Sequence, residues 1–529
     1  MSSDRQATLN CVDWMVDRHV RAGRGDHPAL VECGKQGRRV LTYAQLQTVI
    51  AGAAPATGAG GRARRIAIVG SSTLEAVCGW LATMRGGGLP FVIHPGLSAG
   101  VHRDLLADFA ADDVHRDRTG PPEVAASALA EVIASPPGAV SRTPAPIATA
   151  APGDPAFCLA SSGSTGRPKI CVHGHGAVPT FHRHVTGPLW QMDETDIVLG
   201  SSGPYFSFGL QGIHTALSLG ATAVLLPDWQ RHEDFLAAIE AEAVTTFLGV
   251  PTLYHLMMTR ASRAYRTGTL RRCLSAGERL PEAIRTRWAT YAGAPLIDSI
   301  GTTETFLPYL TEVPGQGAGM KEVGGFAYAY TPLERDERAE GAEGAEGAEV
   351  ADRADAGQFA TTTVSLSGSP MMLGYLAPGT RGELQLQPPP HFDTGDVFAS
   401  VPGGWSFVSR RSERVKIAGH WVTPQALEEF LLSDGRVLQA AAVPVTTYAG
   451  LQRMRAYIVL RDGCREGDAV IASLTRRMRE ELRPNALRPD RIEVVPALAS
   501  SPNGKLQRRE LAAAVAARRL GGHRGMATL

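Results

Sequence analysis

Ser161-Ser162-Gly163-Ser164-Thr165-Gly166-Arg167-Pro168-Lys169, placed directly after the apolar run Ala156 to Ala160, is the stretch from which the rest of the chain is read. Gly163 and Gly166 let the backbone take positive φ and come close to a ligand. Successive N–H groups in such a turn form a concave anion site, and Ser161, Ser162, Ser164, Thr165 and Lys169 add donors and charge. That is equipment for gripping the phosphates of a nucleoside triphosphate. It is not a Walker loop, because no Gly-Lys-Ser/Thr follows four residues after a glycine. A run of small polar residues can also be a plain surface turn. The Pro168-Lys169 step and the strand-like Ile170-Cys171-Val172 weigh against that reading.

Bulk properties narrow the class. A chain of 529 residues is too long for one core, so two or more domains are expected. Lys+Arg at 53 against Asp+Glu at 52 leaves net charge +1, and no basic stretch interleaved with aromatics appears. Nucleic-acid binding is therefore not expected. Cys11, Cys33, Cys78, Cys158, Cys171, Cys273 and Cys464 are scattered, odd in number and never spaced C-x-x-C. They supply neither a disulfide framework nor a zinc site. The N-terminus lacks an apolar h-region and no apolar run approaches ~18 residues, so a cytoplasmic protein with no membrane partner is expected.

Strand and helix patterns alternate along most of the chain. Ile66 to Val69 reads as a buried strand and Thr73 to Met84 as an amphipathic helix. Asp196 to Leu199, Thr222 to Leu226, Thr246 to Leu248 and Leu296 to Ile297 read as short buried strands, with Arg231 to Glu242 as a helix. Such alternation predicts an α/β architecture with mainly parallel sheets flanked by helices. Residues 112–155, rich in Pro, Ala and Asp, read as an irregular connection. The Ala-Glu-Gly repeats at 339–349 cannot bury enough apolar surface to offset their ordering entropy, so 334–358 reads as a disordered insertion. After a basic stretch at 409–416, Pro424 to Leu432 and Ile471 to Leu482 read as helices, and Ala440 to Val445 and Arg455 to Leu460 as strands. The expected division is a large domain, 1–410, and a small mobile α+β domain, 411–529, on a short linker.

Further segments follow in a recognisable order. Ser275-Ala276-Gly277-Glu278 is a short turn in which Gly277 permits close approach of the backbone to a ligand. In Asp298-Ser299-Ile300-Gly301-Thr302-Thr303-Glu304, two hydroxyls and a carboxylate follow a strand end, a set suited to an α-phosphate and Mg²⁺. Asp396, in Thr394-Gly395-Asp396, can accept hydrogen bonds from both ribose hydroxyls. Arg410 and Ser501-Pro502-Asn503-Gly504-Lys505 complete the set. Each alone is weak. Together they resemble the adenylate-forming superfamily of acyl-CoA ligases, adenylation domains and luciferases, over residues 10–515. Within it, Tyr205 to Leu210 and Lys416 to Pro424 resemble benzoate-type aryl ligases. Phe206, Ser207, Phe208 and Gly209 would form the acid pocket, which favours a flat aromatic acid; ordinary core packing is the alternative for the two rings.

The resemblance implies two half-reactions. A carboxylate attacks the α-phosphorus of ATP to give acyl-AMP and pyrophosphate; a nucleophile then expels AMP. Ser161 to Gly166, Lys169, Gly277, Glu278, Asp298, Thr302, Thr303, Asp396 and Arg410 would bind ATP. Thr303, Glu304 and Lys505 would be catalytic, with Glu304 holding Mg²⁺. Lys505 would reach the site only when the small domain closes, and that domain would then rotate for the second step. His173 and His175 read as structural hydrogen-bonders or as substrate-orienting groups.

The sequence departs from the family at the expected seam. Ser412, with Glu413 next, stands where the family carries an acidic or Lys hinge, and Ser409 replaces a glycine. Only Gln385 to Asp393 separates Gly382-Glu383-Leu384 from Thr394, while Met372-Leu373-Gly374-Tyr375, like the family's glycine-tyrosine signature, lies before Gly382. An aryl ligase altered there resembles the aminocoumarin amide synthetases of antibiotic pathways, which implies an amine acceptor and an amide product. An aryl-CoA ligase, loading of a separate carrier protein, and a catalytically inactive nucleotide-binding protein remain the alternatives.

Overall fold

The apolar residues after Asp154 extend into strand Pro155–Ser161, which turns back as Lys169–Gly174, with Ser161 directly opposite Lys169 at the mouth of the hairpin. The computed structural model describes residues 10–35, 37–55, 63–120, 146–161, 168–317, 319–333, 361–379, 384–387, 389, 391–418, 420–447, 451–461, 463–464, 467–498 and 511. Ser162 to Gly166, the expected insertion at 334–358 and Lys505 lie outside the described residues.

The chain divides into two compact units, the first formed by residues 1–277, 288–327 and 367–392, the second by 278–287, 328–366 and 393–529. In the first unit the hairpin joins a sheet ordered Leu386–Gln387, Gly374–Leu376, Lys169–Gly174, Pro155–Ser161, Leu89–Ile93, Arg65–Val69, Asp113–Arg116. A second sheet has parallel Arg272–Ser275, Thr246–Gly249, Ile197–Gly200 and Thr222–Leu225 at its centre, with Leu296–Gly301 parallel beside Arg272–Ser275. Helices flank the strands because their caps and apolar faces demand it. Thr73 accepts a hydrogen bond from the Ala76 N–H and starts helix Leu74–Arg85, whose residues are nearly all buried. Gly220 ends helix Ser207–Leu219 at φ +76°, a conformation that costs glycine nothing.

Strand Asp113–Arg116 falls inside the stretch expected to be irregular. It pairs parallel with Arg65–Val69 at the sheet edge. Among Asp113, Val114, His115 and Arg116 only one residue is apolar, so it lacks the signature of a buried strand; edge strands are often this short and charged.

In the second unit, Phe326–Pro332, Thr361–Gly368, Phe392–Val401 and Gly404–Arg410 form one sheet. Val437–Thr446, Gln452–Leu460 and Arg491–Val494 form another, covered by Pro424–Leu432 and Gly467–Glu481 through Leu427, Leu431, Val470, Leu474 and Met478. Pro424 sits at the first helical position behind the Thr423 cap, where its missing N–H costs nothing. The division does not coincide with a boundary after Arg410. Residues Asp396 to Val401 of strand Phe392–Val401 pair with Gly404–Arg410, and that ladder lies in the same unit as 411–529. Among the described residues no helix is long and apolar enough to cross a membrane.

Candidate active site

In the first unit, strand Leu296–Gly301 delivers Thr302, Thr303 and Glu304 into a tight turn. The Thr302 N–H donates to Thr305 Oγ1 (3.1 Å), and the Thr305 N–H donates back to Thr302 Oγ1 (3.3 Å). The chain leaves through Phe306 at φ +57°, a left-handed conformation that is strained for a bulky residue by about 1–3 kcal/mol. Neighbours hold it there. Gln211 Nε2 donates to the Phe306 carbonyl at 2.7 Å and Ser207 Oγ at 3.3 Å. The fully buried Phe306 ring packs against Phe157, His173 and His214, with centroids 4.9–5.3 Å apart.

Strand Gly374–Leu376 brings in a residue that the motifs do not assign. It pairs with Lys169–Gly174, placing Tyr375 opposite Cys171. The Tyr375 hydroxyl donates to Glu304 Oε1 at 2.9 Å, and Lys169 Nζ lies 4.8 Å from the centre of the Tyr375 ring. Burial, then the Glu304 charge, push the Tyr375 phenol well above its ordinary pKa, so it stays a donor. Tyr375 therefore joins the end of the phosphate-loop hairpin to the carboxylate. Its signal in the sequence is the Gly374-Tyr375 pair. The pair lies before Gly382, and the strand that precedes it in the chain is Thr361–Gly368, the neighbour of Phe392–Val401 in its sheet.

The other first-unit residues are placed as follows. Ser275 ends its strand fully buried and level with Asp298 on the next strand. Gly277 has φ +84°, and a Cβ there would meet only Val250, at 3.9 Å, so the requirement is conformational and the space before it is open. Asp298 is buried; its backbone N–H donates to Glu312 Oε2 at 2.8 Å, fixing the strand end from which Thr302 departs. His173 is fully buried with its ring at the Thr303 backbone, and desolvation pushes its pKa down to about 3. His175 Nδ1 accepts from the Cys11 N–H at 3.2 Å and is held down to about 4 by burial.

The acid-pocket segment caps and opens helix Ser207–Leu219. Gly209 is dictated by packing: a Cβ there would lie 2.0 Å from the Gly203 carbonyl oxygen. Phe208 packs against the main core, whereas Phe206 sits 4.9 Å from Tyr205 and 6.2 Å from His94, which is itself 4.3 Å from Tyr205. Phe208 is half-buried against that core. His94 joins Phe206, and nothing in spacing links positions 94 and 206; only the sheet order does.

In the second unit, Asp396 and Arg410 are cross-strand partners, with Arg410 Nε 3.0 Å from Asp396 Oδ1. The Asp396 side chain is 1% exposed and that of Arg410 50%. Glu278 is half-buried. Ser412 is exposed in the short turn Arg411–Glu413, while the Glu413 carboxylate accepts from Gln425 Nε2 at 2.5 Å.

Among the described residues no group of three or more His, Cys, Asp or Glu could hold a metal. The donor set present still suits Mg²⁺ bound with a nucleotide, which takes one or two carboxylates and completes its shell with phosphates and water. Glu304 is half-buried, and among the described residues only one of its carboxylate oxygens is engaged.

The family described as AMP-binding enzyme matches residues 16–333, and the AMP-binding enzyme C-terminal domain matches residues 426–505. The chain is 28% identical over 537 residues to a 4-hydroxybenzoate–CoA/benzoate–CoA ligase of Rhodopseudomonas palustris, covering 93% of this chain and 92% of that one. It is 26% identical over 489 residues to a 3-hydroxybenzoate–CoA ligase of Aromatoleum sp. (strain CIB), covering 87% and 88%. In fold it is similar to the anthranilate CoA ligase AuaEII in complex with anthranoyl-AMP, with a TM-score of 0.79 and 22% identity over 98% of this chain and 100% of that one.

Proposed function

The chain belongs to the AMP-binding enzyme family, whose members use ATP with Mg²⁺, and from that premise we propose that it is an aryl-CoA ligase. It activates a benzoate-type acid as acyl-AMP and passes the acyl group to the thiol of coenzyme A. One observation carries the aromatic half of this reading. The aromatic segment at Phe206 and the turn that bears Glu304 are joined at one point, since Ser207 and Gln211 both donate to the Phe306 carbonyl. Coenzyme A as acceptor is supported by relatives that span most of the chain and are named as CoA ligases of hydroxybenzoate and benzoate.

The chemistry asks the protein to bring an anion to a polyanion. An oxygen of the aryl carboxylate bonds to the α-phosphorus, and the bond to pyrophosphate breaks. Charge must be neutralised where it develops. Lys169, the phosphate loop and Lys505 supply cationic and N–H donors, and Asp396 accepts from the ribose hydroxyls. Bound at Glu304, Mg²⁺ would draw charge from the phosphates. In the second step the thiol sulfur bonds to the acyl carbon, AMP leaves with the former carboxylate oxygen, and the thiol proton passes to solvent. Ser412 is the proposed pivot between the steps, because Glu413 is tied to Gln425.

An amine of the aminocoumarin type is the second acceptor reading, favoured by Ser412 standing in place of an acidic or Lys hinge. Pyrophosphate exchange across a panel of substituted benzoates tests the first half. Failure with every aromatic acid overturns the aryl reading. Coenzyme A and a 3-aminocoumarin offered together test the second: a thioester is expected, and an amide would overturn the CoA assignment.

A further inference from the structure

Tyr375 touches both the carboxylate expected to meet the metal and the cation expected to meet the phosphates. Its hydroxyl engages Glu304 Oε1, and its ring lies under Lys169 Nζ. The fold does not need that hydroxyl. The segment is held by its backbone: the Leu373 N–H donates to the Val172 carbonyl (2.8 Å), the Met372 N–H donates to the Glu304 carbonyl (2.9 Å), and Gly374–Leu376 pairs with Lys169–Gly174. Glu304 is also fixed through its main chain. Its carboxylate, among the described residues, receives a hydrogen bond from Tyr375 alone. A glutamate with several free torsions presents its oxygens in many directions, and one bond to one oxygen removes most of that freedom.

We propose that Tyr375 is the positioning residue for Glu304, holding one carboxylate oxygen so that the other is presented to the magnesium–nucleotide. The inference rests on the proposed adenylating function. It also gives the cation above the ring a use. Lys169, parked over an aromatic face, is drawn off by phosphate at little cost, because a cation–π contact is weaker than a charge-assisted hydrogen bond.

Calorimetric titration of ATP into the full chain, at stepped Mg²⁺ concentrations and with EDTA, tests this. Tyr375→Phe keeps the ring and removes the hydroxyl. It is expected to raise the Mg²⁺ concentration for half-maximal ATP binding about tenfold, the lower range for partners that orient a metal ligand. ATP binding in EDTA and the melting temperature should match the wild type. In a Glu304→Gln background the same change should have no further effect on Mg²⁺ dependence. An unaltered Mg²⁺ dependence in Tyr375→Phe, or an equal loss with and without Mg²⁺, would overturn the positioning role. A wild type that binds ATP without regard to Mg²⁺ would overturn the functional reading, and this inference with it.

Discussion

The side-chain amide of Gln211 donates to the backbone carbonyl of Phe306 at 2.7 Å, tying the helix of the aromatic segment to the turn two residues past Glu304. Gln211 is buried and so is Phe306. Removing the donor leaves a buried carbonyl, already in a left-handed conformation, without its best partner. Gln211→Ala is therefore expected to cost about 1–3 kcal/mol of stability. It should also lower pyrophosphate exchange and raise KM for the aromatic acid, with KM for ATP changed less. Denaturant melts and exchange kinetics on one preparation check this.

Asp396 stands opposite Arg410 with its side chain almost wholly buried. Asp396→Asn keeps the shape and removes the charge that would accept from the ribose. A hydrogen bond involving a charged group is worth about 1.5–3 kcal/mol, so KM for ATP should rise at least about tenfold. Arg410→Gln should have a smaller effect, because its guanidinium is half exposed and screened. Initial rates of exchange at varied ATP distinguish the two.

Ser412 and Lys505 should separate the half-reactions. Proline at 412 freezes φ near −65°; Ser412→Pro is expected to keep pyrophosphate exchange near wild type while thioester formation from ATP, acid and coenzyme A falls sharply. Lys505→Ala should do the reverse. Losing a cation at the developing charge costs about a hundredfold or more in acyl-AMP formation, while synthetic acyl-AMP should still be converted to the thioester. Exchange and product assays on both variants decide.

His173 and His214 are fully buried, and desolvation holds both near pKa 3, against 6.5 for an ordinary imidazole. Below pH 6.5 the unfolded chain gains protons that the folded chain cannot. Stability should be flat above about pH 7 and fall as pH drops through the window from 6.5 towards 3. The slope is up to about 1.4 kcal/mol per pH unit for each such histidine. Thermal melts from pH 8 to pH 5 test the sign. His214→Phe, which titrates nothing, should flatten the acid limb.

Several elements were legible because their information is local. Thr423-Pro424 is a cap followed by a first-turn proline, and the helix runs Pro424–Leu432 as the pattern predicts. The α/β alternation of the large unit follows from buried runs such as Arg65–Val69 and Thr246–Gly249. Strand Asp113–Arg116 was not legible, because its pairing with Arg65–Val69 is a property of the neighbour. Nor was the division near residue 393, since the ladder between Phe392–Val401 and Gly404–Arg410 outweighs the change in composition after Arg410.

The sequence by itself determined the family and proposed Glu304, Asp396 and Arg410 as a set, because order and residue chemistry survive without coordinates. Tertiary structure decided which side chains act on one another. Tyr375 reaches Glu304 across 71 positions, Gln211 reaches Phe306 across 95, and His94 meets Tyr205 through the order of strands. Such contacts are fixed by sheet order and helix packing, which pool small preferences from the whole chain. No window of sequence holds enough of them to name the partner.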